Sequence, residues 1–268
     1  MNIETYYSFL IYFFTALIGL CVGSFLNVVI YRVPLKMSVA FPASHCPDCN
    51  YSLKWYDNIP VLSYLILGGK CRNCKKHISF RYTAVEISNM LLWLLAVWCF
   101  KDRSFIYSVL TALAFSVCIC IFFIDFEHLL IFDRFQIIFL ALGIAVTVID
   151  FFDKTADTSI FSHIIGLVSG FLLFFLISVC AEKILGREAL GGGDIKLFAV
   201  MGLFLGWEKL LFALLISSLL ASIVLLLIQK KKNENGKEYP FGPFLVFGFT
   251  VSLLFGENII NWYLSFLI

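Results

Sequence analysis

The chain has 268 residues, 61% hydrophobic and only 14% charged, with a mean hydropathy of +0.94 and a formal net charge of +2. Soluble domains carry roughly 25% charged residues, so this composition excludes a water-facing globule, and the apolar residues come in blocks long enough to cross a bilayer. The chain has no basic face with interleaved aromatics, and this argues against a nucleic-acid partner.

In chain order, eight apolar blocks predict spanning helices near 6–30, 84–100, 105–124, 135–152, 161–181, 195–206, 210–228 and 241–266. The sixth is short and contains glycine. The first reads as a retained transmembrane helix, because the residues before it hold Glu4 and no Lys or Arg, unlike the basic start of a cleavable signal peptide. The expected fold class is an all-α integral membrane protein with about eight transmembrane helices and a small zinc-ribbon-like cytosolic insertion. Three parts follow: a first helix over 1–30, a tetracysteine domain over 31–83, and a multi-helix membrane domain over 84–268.

Basic residues concentrate on the cytosolic side of membrane proteins. With the N-terminus outside, four of the 20 Lys and Arg residues fall in outside loops, namely Lys101, Arg103, Lys154 and Lys209. The rest, including Arg187, fall inside. This asymmetry predicts a multi-pass protein with both termini outside. The basic run from Lys230 to Lys237 reads as a topological anchor beside anionic lipid.

The segment 31–83 holds Cys46-Pro-Asp-Cys49 and Cys71-Arg-Asn-Cys74. Each Cys-x-x-Cys turn offers two thiolates, and two such turns complete a closed tetrahedral S4 shell suited to structural zinc. Disulfides are the alternative, and a cytosolic location opposes them. His45 and His77 flank the turns, but four cysteines suffice. The remaining cysteines lie in apolar blocks and read as small packing residues.

Carboxylates at membrane spans are costly and therefore informative. Asp125 follows an apolar run directly, with Glu127 and Asp133 just beyond. Asp194 follows Gly191, Gly192 and Gly193 and precedes the sixth block. The predicted topology delivers both Asp125 and Asp194 to one membrane face. Two close carboxylates share a proton, so one can take a proton from an attacking water while the other polarises a peptide carbonyl. Glycines before Asp194 would let the backbone bend and a substrate strand approach. The alternative is that these acids only cap helices. Asp133 reads equally as a secondary site residue or a helix-start acid, and Lys196 as an interfacial anchor or a partner for a nearby carboxylate.

Several ordered motifs carry a resemblance: GSFLNVVIYR at 23–32, WYDNIPVLSY at 55–64, ISFRY at 78–82 followed by Glu86, GGGDIKL at 191–197, and PFGPF at 240–244. Together they resemble the type IV prepilin peptidases, Gly-x-Gly-Asp intramembrane aspartic peptidases, over nearly the whole chain. The resemblance implies Asp125 and Asp194 as the catalytic pair and a bacterial cytoplasmic membrane location. It implies cleavage after Gly in the short basic leader of type IV prepilin or pseudopilin precursors, at the cytosolic face, with the substrate's apolar segment in the lipid bilayer. The resemblance further implies methylation of the new N-terminus with S-adenosylmethionine, which members with the tetracysteine domain often carry out. No Gly-rich cofactor loop is visible in the sequence. Phe132 and Thr83 stand where the family usually has proline, so the turn before Asp133 lacks a fixed φ. A proton-coupled transporter, to which acids on broken helices point, and a non-enzymatic assembly factor that only binds pilin precursors are the competing classes.

Overall fold

A computed structural model describes residues 3–153, 159–186, 190–232 and 239–266. Lys154, Arg187 and Lys237 of the charge analysis lie outside the described residues. Nine α-helices occur among the described residues: α1 (Ile3–Arg32), α2 (Leu62–Ile66), α3 (Arg81–Phe100), α4 (Phe105–His128), α5 (Asp133–Phe152), α6 (Ile160–Leu185), α7 (Gly192–Leu205), α8 (Trp207–Lys232) and α9 (Gly242–Leu264). A single 3-10 turn covers Trp55–Asn58, and no strand is present among the described residues beyond two isolated bridges.

Among the described residues, seven helices are long and apolar enough to cross a membrane: α1, α3, α4, α5, α6, α8 and α9. The sixth predicted span differs. Helix α7 has 14 residues, about 21 Å at 1.5 Å per residue, short of a bilayer core of about 30 Å. Its residues from Leu197 to Leu205 are all buried, so α7 is apolar on every side because protein surrounds it.

The chain divides into two compact units, Met1–Cys120 and Ile121–Ile268. In the first, α1 packs on α3. A Cβ at Gly23 would stand 2.8 Å from the Glu86 Cα, so the close crossing needs glycine there. Polar side chains tie the helices: Asn89 Nδ2 donates to Gly19 O (2.7 Å), Ser116 Oγ to Asn89 Oδ1 (2.8 Å), and Trp93 Nε1 to Ser116 Oγ (2.9 Å). Such bonds satisfy groups that lipid could not.

In the second unit α5, α6, α8 and α9 pack around α7. Phe139, Phe204 and Phe249 form a buried aromatic cluster with ring centroids 5.1–5.7 Å apart. Near its C-terminal end α7 is held by a buried pair that the sequence did not suggest. His163 of α6 has Nδ1 2.9 Å from Leu203 O and Nε2 3.2 Å from Asp150 Oδ2 of α5.

Candidate active site and metal centre

Helix α4 runs four residues past the apolar block and ends at His128. Asp125 therefore lies in its last turn, buried, whereas Glu127 and His128 are exposed. The helix is closed by Leu129 in the left-handed region (φ 55°), whose N–H donates to Asp125 O (2.9 Å). Asp125 Oδ2 accepts the backbone N–H of Gly242 at 2.9 Å. Gly242 is the first residue of α9, so the positive end of that helix faces the carboxylate. A Cβ on Gly242 would stand 2.7 Å from the same oxygen, and only glycine admits this approach.

Asp194 occupies the first turn of α7, outside the seven membrane-length helices. Burial first, then the negative charge of Asp125, push its carboxyl up to about 7. The two acids thus lie within electrostatic reach inside one unit, and the charge of Asp125 favours the neutral form of Asp194. Its Oδ1 is buried without a protein partner.

The three glycines do not make the sharp bend expected of them. Gly191 is the residue before the helix, at φ −66° and ψ 143°, and none of the three has a positive φ. They begin an ordinary helix. What they supply is room: Gly192 faces open space, and a Cβ on Gly193 would press on Ile131 at 3.0 Å. Gln136 of α5, which sequence reasoning missed, donates to Gly193 O at 3.0 Å and pins this turn. The signal was a lone amide in an apolar run. Asp133 opens α5 and pairs with Lys196 at 2.8 Å, with both side chains more than half exposed. An exposed pair of this kind contributes about 0.2–1 kcal/mol. It links two helix starts. Gly242 was also missed as a site residue, although PFGPF marked its position.

Phe132 adopts φ −74° and ψ 137° before α5. That φ is within the range a proline ring imposes, so the turn keeps proline-like geometry without the ring. Thr83 is buried in the first turn of α3, where proline is also tolerated. Beside Asp125 a cavity of about 230 Å³ is lined by Phe122 and Phe126 of α4, Val224 of α8, and Pro243 and Phe244 of α9, an apolar surface throughout.

In the first unit, Cys46, Cys49, Cys71 and Cys74 bring their sulfur atoms within 4.8 Å of one another, an arrangement that can hold a metal ion. The two turns are built alike. Asn50 N–H donates to Cys46 O and Lys75 N–H to Cys71 O, and both Asn50 (φ 54°) and Lys75 (φ 59°) are left-handed. Hydrogen bonding by the Tyr51 backbone holds the Cys49 thiol down at about 7, and the Cys74 and Asn73 backbone lowers Cys71, whereas, against the Lys76 backbone hydrogen bond, burial and the three neighbouring thiols push Cys74 up to about 11. Lowered thiols favour the thiolate that binds metal. His45 is half-buried and lies 3.1 Å from Ala43 O through Nδ1.

Residues 17–100 match the family model described as the bacterial peptidase A24 N-terminal domain, and residues 112–226 match that of the type IV leader peptidase family. The chain is 33% identical to a Pseudomonas aeruginosa protein named prepilin leader peptidase/N-methyltransferase, over 94% of this chain and 93% of that one. Proteins of the same name from Myxococcus xanthus (37% identical, 90% and 72% covered) and Legionella pneumophila (32%, 97% and 96%) are also similar. No solved structure matches the chain. Two family models in order along the sequence, and relatives covered almost end to end, place the chain in the type IV leader peptidase family.

Proposed function

We propose that the chain is a membrane aspartic endopeptidase that removes the leader from type IV prepilin-like precursors and methylates the new N-terminus. The observation that carries the first activity is the pairing of buried Asp125 with half-buried Asp194, whose carboxyl is raised to about 7 by burial and then by the charge of Asp125. Asp125, held by the Gly242 N–H, takes a proton from the attacking water. Asp194 gives its proton to the carbonyl oxygen, and a proton then passes to the departing amine. Gly191, Gly192 and Gly193 leave room for the extended substrate, and Gln136 and the Asp133–Lys196 pair set the helix starts around it. No metal or nucleophilic side chain takes part in this scheme.

The substrates are prepilin or pseudopilin precursors, as the relatives' names suggest. The basic residues of 31–83 support the bacterial cytoplasmic membrane, an N-terminus outside and cleavage on the cytosolic side; eight crossings would return the C-terminus to the outside, whereas seven, with α7 too short to cross, put it on the opposite face. The segment 31–83 is then a cytosolic domain inserted between α1 and α3. Its four thiols fit zinc: tetrahedral Zn–S bonds of about 2.3 Å put sulfurs about 3.8 Å apart, and the pairs Cys46–Cys74 and Cys49–Cys71 stand at 3.9 Å. Zinc would hold the two turns together and, with its shell closed, take no part in cleavage.

Methylation calls for S-adenosylmethionine. The cavity beside Asp125 does not fit it, being small and apolar where adenosine and an amino acid need polar partners, and no step here runs through that cofactor. The test is a precursor incubated with the protein in lipid vesicles, with and without S-adenosylmethionine. Loss of the leader, then a mass gain of one methyl group, is expected; an uncut precursor would refute the reading.

A further inference from the structure

The inserted segment carries an apolar surface that the zinc-binding and peptidase readings leave unused. The short helix α2 exposes Leu62 (55%), Leu65 (66%) and Ile66 (78%). These stand at i, i+3 and i+4 and share one face. Three large aliphatic side chains on one exposed turn are unusual for a water-facing domain, and such a patch marks an interaction surface.

The structure fixes the level of this turn against the membrane helices. Val61, the residue before α2, donates its N–H to Glu86 Oε2 at 2.8 Å. Glu86 lies five residues into α3, about 7.5 Å along the axis at 1.5 Å per residue. It is buried, and Ser24 of α1 also hydrogen-bonds its carboxylate. A second tie is Tyr64 of α2, whose ring meets Phe80 edge-on at 6.3 Å, directly before α3 begins. Helix α3 has 20 residues, barely enough to span a bilayer core of about 30 Å. A turn pinned one and a half turns inside such a helix cannot stand out in bulk water. Val61 itself holds φ 61°, a strained value for a β-branched residue, and its bond to Glu86 secures that conformation.

We infer that α2 is an interfacial anchor: Leu62, Leu65 and Ile66 enter the boundary between headgroups and acyl chains, and the partner of this surface is the lipid bilayer. The charge of the segment agrees. Residues 33–80 hold six Lys and Arg against Asp48 and Asp57, a balance that suits an anionic lipid surface. The anchor would hold the metal-binding turns at a set height over the membrane. This inference rests on α3 spanning the bilayer and is independent of the peptidase reading.

The test uses the full chain in vesicles of phosphatidylethanolamine and phosphatidylglycerol, with a photoreactive benzophenone amino acid placed singly at Leu65, Ile66, Leu91 or Lys75. Leu91, half exposed on α3, reports lipid; Lys75, on the second metal turn, reports water. The two α2 side chains are largely exposed, so the probe replaces no packed group. Lipid adducts at 65 and 66 comparable to those at 91, with loss of the adduct at 75, are expected. Adducts to protein at 65 and 66, or no lipid adduct there while 91 gives one, would overturn the inference.

Discussion

A single backbone N–H holds Asp125 in place, and burial is the first cause of the raised Asp194 carboxyl. Gly242 donates to Asp125, and Asp194, half-buried within reach of that charge, is raised to about 7 by burial first and then by the charge. Gly242→Ala would put a Cβ 2.7 Å from Asp125 Oδ2, forcing the carboxylate to move or give up the bond. A displacement of an ångström in a reacting group costs on the order of 100-fold in rate. We expect that loss in kcat with KM little changed, measured on a precursor in vesicles. The protonation state predicts a pH profile with a definite sign. Below about 7 Asp194 keeps its proton and can act as the acid; as pH rises through that value it ionises, and two adjacent carboxylates can neither polarise the carbonyl nor coexist cheaply. The cleavage rate should therefore fall on the alkaline side, and a kcat that stays level across that range would contradict the assignment.

At the scale of elements, sequence showed the membrane helices plainly, because about 20 apolar residues in a row have few other uses. Its limits are equally physical. Helix α7 read as a span from composition alone, yet it is only 14 residues long and buried in protein, and a helix apolar on all sides looks the same in either setting. The cysteine cluster was legible because its chemistry repeats at short spacing. The bonds Val61–Glu86, Gln136–Gly193 and Gly242–Asp125 were not, since each joins residues 25 to 117 positions apart and nothing local announces the partner. The inserted element also gives a prediction. Little core supports its turns, so bound metal should supply much of their folding free energy. A strong chelator should raise amide hydrogen exchange across 44–77 while α4 stays protected, with zinc released in parallel. Unchanged exchange after metal loss would show that the thiols do not depend on metal for their arrangement.

Across the whole molecule, two family models and two compact units divide the chain in similar places, near the start of α4 and within it. Both acids belong to the second unit and the four thiols to the first, so cutting and metal binding are separable by substitution. That separation gives the most direct measurement of the central claim. Asp125→Asn and Asp194→Asn should each abolish leader removal from a precursor in vesicles, while the variants insert, stay folded and keep the metal content of the unaltered protein. Cleavage retained by either variant would contradict the account.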